Sequence, residues 1–453
     1  MESSKSVVSN RSVFVHSAVV GGICLLAAVC GLASGAATRR TASTLECKDP
    51  SLFTEAQMPV LISKAASGDV QAQCLLGFAY HRGSALNKDE TEAAKWFWKA
   101  AEAGVPLAQA ELGYFYESGA GVQQSDFEAV KWYRKSAQQG VDKAENNLGY
   151  MYFVGRGGLP RSNDEAATWF RKAAEQGLAA AQTNLGMLYR FGEGVARDYS
   201  EALRWYRKAA AQGYGGADAE LGIMHLRGEG VAQDYVAAVA FFQAGADHGD
   251  PSAQSCLGYM YIKAFGVGRD YAAGFRWTRV AAERGIAAAQ QNLGHMYESA
   301  LGTIRDDHEA FDWYFAAAAQ GLPESQNKVG YFFETGRGVP RDEVQAAKWY
   351  RKAAEQGYAV SQLNLAMLYA NGPGQGVSID RVEAYRWLIL AAAGGREDGA
   401  GALRRLQSVM TPQQLREARL RAYGWRSPPI PALAQEPLLA RTSVALVSAA
   451  IEP

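Results

Sequence analysis

The stretch SEALRWYRKAAAQG, from Ser200 to Gly213, decides the fold because close copies of it return along most of the chain. It follows the pair Leu185-Gly186, and matching pairs return at intervals of 36 residues, with one interval of 37. The other pairs are Leu76-Gly77, Leu112-Gly113, Leu148-Gly149, Leu221-Gly222, Leu257-Gly258, Leu293-Gly294 and the variants Val329-Gly330 and Leu365-Ala366. A fixed period of this length is typical of a stack of small supersecondary units.

Each unit reads as two helices joined by a short loop. In the first helix the pattern Ala-Gln-x-x-Leu-Gly-x-x-Tyr, as in AAQTNLGMLY at 180–189, places apolar side chains on one stripe. A glycine within a helix costs roughly 1 kcal/mol relative to alanine, so its return indicates close approach of the partner helix. We therefore predict an all-α solenoid with nine units over residues 69–395.

The second helix of each unit begins at an Asp or Ser and ends at a Gly. These first residues are good N-caps, and in seven of the nine units a Glu or Gln three residues later completes a predicted capping box. Seven residues after the N-cap comes an aromatic that we expect to anchor one unit to another. This column is Trp96, Trp132, Trp169, Trp205, Phe241, Trp277, Trp313, Trp349 and Trp387.

A lysine follows the aromatic by three residues in five units, at Lys99, Lys135, Lys172, Lys208 and Lys352. Cations near a helix C-terminus interact favourably with the helix dipole, which explains these lysines simply. A basic stripe for an anionic lipid or glycan is the alternative interpretation.

The two ends of the repeat array depart from the period. Residues 41–68 read as a polar linker followed by an N-terminal cap helix, and residues 396–425 read as two capping helices that meet at Thr411-Pro412. Residues 426–453 contain five prolines and no helical period, which predicts a disordered tail.

Residues 1–40 carry the features of an export signal. No charged residue lies between Arg11 and Arg39, and Lys5 and Arg11 precede the apolar run. Small residues that a signal peptidase could cut follow the run, which is also long enough to span a bilayer uncleaved. The sequence thus predicts a signal peptide or signal anchor, and an exported protein of the periplasm, cell envelope or secretory-pathway lumen, with or without a single-pass membrane anchor.

Composition argues against several function classes. Lys plus Arg equals Asp plus Glu at 46 each, so no net basic field favours a nucleic-acid partner. The five cysteines are scattered and form no Cys-x-x-Cys pair, which argues against a disulfide framework or a metal site. The loops between helices carry Gly-x-Gly-Val, but they follow a helix rather than a strand, which disfavours a phosphate-binding loop.

Taken together, these motifs resemble the Sel-one-like repeat family, relatives of the tetratricopeptide repeats. The resemblance covers roughly Ser51 to Trp425. It implies an all-α, right-handed α-solenoid and an adaptor that holds protein or peptide partners. A cysteine-rich branch of that family is associated with binding or hydrolysing beta-lactams through paired cysteines in each repeat, and this chain lacks those pairs.

No catalytic, metal-binding or cofactor motif is found in the sequence, so we predict a protein that is not an enzyme and takes no cofactor. The six histidines are spread along the chain, and His225 and His295 read as substitutions within the repeat. Two alternatives stay open, an envelope enzyme or beta-lactam-binding protein and a module that binds glycan or peptidoglycan fragments. The sequence does not decide self-association.

The resemblance to tetratricopeptide stacks also implies where a partner would bind. In such stacks the first helices line the concave side, and the residue after Leu-Gly points into it. Aromatic rings beside amides suit the capture of a peptide. The predicted partner-binding residues are Phe78, Tyr114, Tyr150, Asn184, Tyr259, Asn292, His295 and Tyr331.

Overall fold

The computed structural model describes residues 57–83, 85–371 and 378–425. In these ranges the chain forms 21 α-helices and no β-strand. The helices are α1 (Met58–Ala66), α2 (Val70–Arg82), α3 (Glu90–Glu102), α4 (Pro106–Ser118), α5 (Asp126–Gln138), α6 (Asp142–Val154), α7 (Asn163–Glu175), α8 (Ala179–Phe191), α9 (Tyr199–Ala210), α10 (Gly215–Arg227), α11 (Tyr235–Asp247), α12 (Pro251–Lys263), α13 (Tyr271–Glu283), α14 (Ala287–Ser299), α15 (Asp307–Ala319), α16 (Pro323–Thr335), α17 (Glu343–Glu355), α18 (Ala359–Asn371), α19 (Arg381–Ala393), α20 (Ala400–Val409) and α21 (Pro412–Gly424). The predicted export signal, the predicted tail and most of the predicted linker lie outside the described residues.

The helices from α2 to α19 form nine pairs, and we call the first helix of each pair the A helix and the second the B helix. Each A helix packs against the B helix of its own unit, and that B helix packs against the A helix of the next unit. The predicted all-α solenoid of nine units is therefore confirmed. We call the side of the stack on which the A helices lie the A face.

The predicted N-caps are confirmed in all nine B helices, where each Asp or Ser side chain accepts a backbone N–H of the first turn. The predicted capping boxes are wrong for the B helices, because the backbone N–H of each N-cap donates to a carbonyl of the preceding A helix, as Asp198 does to Tyr189 at 2.8 Å. In several units the third residue of the helix pairs with a cation three residues later, as Glu201 does with Arg204 at 2.6 Å. A complete reciprocal box is present in α21, between Thr411 and Gln414.

The glycine within each A helix makes room for a side chain of the B helix. A Cβ built on Gly186 would lie 2.8 Å from the ring of Tyr206, the residue after Trp205. The prediction of close approach is thus correct, and an aromatic ring is the main group that approaches. In six other units, too, the residue after the aromatic column is a buried ring that contacts the mid-helix glycine.

The aromatic column joins neighbouring units, as the sequence predicts. Trp205 of the fourth unit shares a buried cluster with Phe153 and Phe170 of the third unit, and with Leu185 of its own A helix. The recurrent lysines lie over these rings, with the Lys208 Nζ atom 4.3 Å from the centroid of Trp205. The lysines therefore stack on tryptophan, a cation–π contact that the helix-dipole interpretation does not include.

The glutamine of each Ala-Gln pattern joins two units through its side-chain amide. Gln182 donates from Nε2 to the carbonyl of Ala174, at the end of the preceding B helix, at 3.2 Å. It also accepts from Gln212 Nε2 at 2.9 Å. The same glutamine pair recurs at Gln109–Gln139, Gln290–Gln320 and Gln326–Gln356.

Helices beyond the repeats pack on both ends of the array. At the start, Met58, Leu61 and Ala65 of α1 share a buried cluster with Leu76 and Ala79 of α2. At the other end, α20 and α21 both pack on α19. The ring of Trp425 meets that of Trp387 edge to face at 6.5 Å.

Candidate functional site

The residues that follow the Leu-Gly pairs differ in how far they reach solvent. Tyr331 is the most exposed of them, at 38%. Four more predicted residues are half-buried, namely Tyr114, Tyr150, Tyr259 and His295. Phe78 is buried, and so are Met187 and Ile223 of the fourth and fifth units, at 1% and 0% exposed.

The two predicted amides lie inside the stack. Asn184 is 3% exposed and donates from Nδ2 to Asn146 Oδ1 of the preceding A helix at 2.9 Å. Asn292 is equally buried. Asn364 and Asn327 repeat this contact between later A helices at 2.9 Å. Asn184, Asn292 and Phe78 were expected to be accessible, and their burial corrects that expectation. Neighbouring A helices pack so closely that these side chains are covered.

The remaining predicted residues form two groups on the A face. The amino-terminal patch consists of Tyr114 and Tyr150, in the second and third units. The carboxy-terminal patch consists of Tyr259, His295 and Tyr331, in the sixth, seventh and eighth units. Buried Met187 and Ile223 occupy the same column between the two patches, so the A face offers two separate amphipathic surfaces.

A charged junction lies beside the carboxy-terminal patch. Arg337 of the loop after α16 forms two hydrogen bonds to Asp307, at 3.2 and 2.7 Å, and contacts Glu298 at 3.2 Å. Its guanidinium lies 5.9 Å from the ring centroid of Tyr331. Burial opposes ionisation of Glu298, but Lys328 and the other contacts outweigh it and lower its pKa.

His295 supplies a neutral polar group to this patch. Burial lowers its pKa, and the positive charge of Lys328 adds to the effect, so the ring is uncharged at pH 7. Its Nδ1 atom is buried and has no hydrogen-bond partner among the described residues. The other ring nitrogen, Nε2, lies 3.4 Å from the Ser299 hydroxyl oxygen, so the half-buried ring presents an uncharged surface between Tyr259 and Tyr331.

The amino-terminal patch adjoins an equivalent junction. Arg156 of the loop after α6 binds Asp126 through two hydrogen bonds, at 2.8 and 2.6 Å, and lies 3.6 Å from Glu117. The hydroxyl of Tyr133 donates to Glu117 at 2.7 Å. Burial raises the pKa of Glu117, while Tyr133 and Arg156 act in the opposite direction.

Between the patches the same positions carry reversed charges. Arg190 of α8 takes the place that Glu117 and Glu298 hold in their units, and it binds Glu220 at 2.6 Å and the loop residue Glu229 at 2.5 Å. The side chain of Arg190 is fully buried. These junctions were not predicted from the sequence. The sequence does carry a signal for them, because in each junction a charged residue is followed by one of opposite charge 39 residues later.

The fifth unit also lacks the glutamine pair and has an aspartate and a histidine in its place. Asp218 and His248 stand at those positions, with the His248 Nδ1 atom 3.0 Å from Asp218 Oδ2. Burial raises the pKa of Asp218, and burial together with the charges of Glu220 and Asp218 raises the pKa of Asp250 to about 6. The middle of the stack is thus a buried charged core.

Within 57–83, 85–371 and 378–425, no three His, Cys, Asp or Glu side chains are grouped so that they could hold a metal ion. Over the same ranges, no helix is long and apolar enough to cross a membrane. Burial raises the pKa of the Cys256 thiol, which disfavours its reactive thiolate form.

Comparison with known sequences gives a repeat match over the whole helical array. A family profile described as Sel1 repeat matches residues 70–105, 106–141, 142–178, 179–214, 216–250, 251–286, 287–322, 323–358 and 359–395. No curated protein matches the chain.

Several solved structures are similar to the chain. A protective antigen of uropathogenic Escherichia coli with an SLR fold is 30% identical to the chain, with a TM-score of 0.43. The match covers 98% of that protein and 87% of this chain. A Sel1 repeat protein from Oxalobacter formigenes is 30% identical, with 97% of it and 73% of this chain covered and a TM-score of 0.48. A Sel1 repeat protein from Klebsiella pneumoniae is 24% identical, with 98% of it and 44% of this chain covered and a TM-score of 0.33.

Proposed function

This chain belongs to the Sel1 repeat family, and we propose on that basis that it is a non-enzymatic scaffold whose A-face patches bind protein or peptide partners. Sel1 repeat proteins generally act as protein-interaction scaffolds. The proposal assigns this role to two defined surfaces, the amino-terminal patch and the carboxy-terminal patch.

The observation that carries the proposal is the run of Tyr259, His295 and Tyr331 through three consecutive units. All three side chains reach solvent on the A face, and each combines an apolar ring with a polar atom. Such side chains give a large contact area at a small loss of conformational entropy. A peptide that lies along the A face would meet one of them in every unit.

The charged junctions support this use of the patches. Arg337 and Arg156 form ion pairs with carboxylates, so the tyrosine rings of the two patches lie beside side chains that are already ordered. A surface that is ordered before binding loses less entropy when a partner docks. The buried stretch at Met187 and Ile223 separates the patches, which favours two contact points on one partner or one contact point on each of two partners.

We also propose that the protein works outside the cytosol, because residues 1–40 carry the sequence features of an export signal. Mass spectrometry of the protein from its native host tests this step. An N-terminus that begins after the apolar run supports export with cleavage. A full-length chain recovered from the cytosol would contradict it.

The binding proposal is tested by crosslinking in the native host with a C-terminal tag. One variant replaces Tyr114 and Tyr150 by Ala, and a second replaces Tyr259, His295 and Tyr331 by Ala. The matched control replaces Trp98 and Phe127, exposed rings of B helices, by Ala. All variants are first compared by thermal unfolding, so that loss of fold is not mistaken for loss of binding.

A partner that the control retains and a patch variant loses supports the proposal and identifies the patch. Equal recovery of every partner from all four proteins would overturn it. A partner lost only from the control would place the binding surface on the B helices instead.

A further inference from the structure

The last described helix, α21, exposes apolar side chains where a capping helix normally exposes polar ones. Tyr423 is 85% exposed, the highest value among the large hydrophobic side chains that the structure describes, and Leu420 is 72% exposed. Their neighbours Ala418 and Ala422 are buried on the opposite side of the helix. The outward side of α21 is therefore an unusual surface for the end of a stack.

Helix geometry places two arginines on that same side. With 3.6 residues per turn, Arg416, Arg419, Leu420 and Tyr423 lie within one stripe of about 100°. All four side chains are exposed. We call this set the outward stripe of α21.

The stripe carries a positive charge that its surroundings do not neutralise. Helices α20 and α21 contain five arginines and a single acidic residue, Glu417. Glu417 binds Arg421 at 2.5 Å, and Arg421 also binds Glu383 at 2.6 Å. No ion pair involves Arg416 or Arg419 in the described part of the chain.

We propose that the outward stripe of α21 binds the surface of an anionic lipid bilayer. Arginines attract anionic headgroups, while Leu and Tyr enter the boundary between headgroups and acyl chains. The stripe combines two exposed cations that form no ion pair among the described residues with two exposed apolar side chains, and this combination suits the headgroup boundary of an anionic bilayer better than an acidic peptide. This contact lies along the membrane surface and requires no spanning helix. It is independent of the proposed partner binding on the A face.

The test is co-sedimentation of the full chain with vesicles of equal parts phosphatidylglycerol and phosphatidylcholine, at low and high salt. Vesicles of phosphatidylcholine alone measure any binding through the apolar N-terminal run. The double variant Arg416→Gln/Arg419→Gln removes both charges from the stripe. Its control, Arg134→Gln/Arg207→Gln, removes two exposed arginines from B helices.

We expect the stripe variant to bind the anionic vesicles about thirty-fold more weakly, from the usual effect of two basic residues near such a surface. The control should lose little, and high salt should weaken the wild type most. The variant Leu420→Ser/Tyr423→Ser should also bind several-fold more weakly while its thermal unfolding is unchanged.

Equal losses in the stripe variant and its control would overturn the proposal, because net charge alone would then explain binding. Wild-type binding that does not depend on phosphatidylglycerol would also overturn it. Binding of the stripe to polyglutamate but not to vesicles would overturn it as well, since the partner would then be an acidic protein. A dimer of the wild type that Leu420→Ser/Tyr423→Ser abolishes would also overturn it, since a second copy of the chain would then cover the stripe.

Discussion

The junction between the fourth and fifth units uses the same positions as the junctions beside the two patches, but with the charges exchanged. In the flanking units a loop arginine binds a glutamate of the preceding A helix, as Arg337 binds Glu298 at 3.2 Å. In the middle, the A helix supplies Arg190 and the loop supplies Glu229, 2.5 Å apart. The repeat therefore fixes where the pair lies and leaves open which partner is positive.

The two kinds of junction differ in burial. Arg190 is fully buried and binds a second carboxylate, Glu220, whereas Arg156 and Arg337 reach solvent. The A face is closed beside the buried pair, at Met187 and Ile223, and open beside the accessible ones. We infer that the middle of the stack holds the array together while the flanking units provide binding surface.

The largest expected effect comes from removing the buried arginine. Arg190→Ala removes the cation that binds the buried Glu220 and leaves Glu229 with Arg227 alone, at 3.5 Å. Breaking a buried pair in this way costs about 3–5 kcal/mol. Arg156→Ala removes a partly exposed ion pair with Asp126, and water can solvate the carboxylate that remains. This variant should cost about 1 kcal/mol. Urea unfolding followed by circular dichroism measures both values.

A charge exchange serves as the control for this comparison. Arg190→Glu combined with Glu229→Arg and Glu220→Asn gives the middle junction the arrangement of its neighbours, and it should recover most of the stability that Arg190→Glu alone loses. Failure to recover any of it would contradict the view that the positions are interchangeable.

A smaller effect is expected from two matched hydroxyl groups. Tyr133 donates to Glu117 at 2.7 Å, and hydrogen bonds to charged groups contribute about 1.5–3 kcal/mol. The hydroxyl of Tyr206, at the equivalent position, is buried beside the Arg190 guanidinium and donates to no acceptor among the described residues. Tyr133→Phe should therefore destabilise the protein, whereas Tyr206→Phe should leave thermal unfolding unchanged or improve it. Equal losses would show that the Tyr206 hydroxyl has an acceptor.

The smallest effect depends on pH and concerns Asp250, which caps α12 by accepting from Ala253 N at 2.8 Å. Its pKa of about 6 lies above the ordinary value, so the folded protein takes up a proton there before the unfolded chain does. The ionised carboxyl thus lowers stability above pH 6, and that loss disappears as the pH falls from about 6 to about 4.

Asp250→Asn keeps the cap and removes the charge. At pH 7.5 it should be more stable than the wild type by about 1 kcal/mol, and the difference should shrink toward pH 4. Thermal unfolding across that range measures it. A difference that does not change with pH would mean that the carboxyl does not titrate in this window.

The period and its cap residues were enough to predict the fold, because a 36-residue repeat with N-caps such as Asp198 and terminal glycines such as Gly213 permits few other arrangements. The site was predicted in part. The sequence places Asn184 and Tyr331 in neighbouring columns of the A helix, but it does not show how closely adjacent A helices pack. That packing buries Asn184 and leaves Tyr331 exposed. Junctions such as Glu117–Arg156 were missed because they depend on where a loop lies against the preceding unit.

The most direct test of the account compares Met187 and Met367, which occupy the same column in the fourth and ninth units. Met187 is 1% exposed and Met367 is half-buried. Hydroxyl-radical footprinting with mass spectrometry measures how fast each is oxidised in the folded protein. The account predicts rapid oxidation of Met367, modification of Tyr331 and protection of Met187. Oxidation of Met187 as fast as Met367 would show that the middle of the A face is open, which would contradict the division between a structural middle and binding flanks.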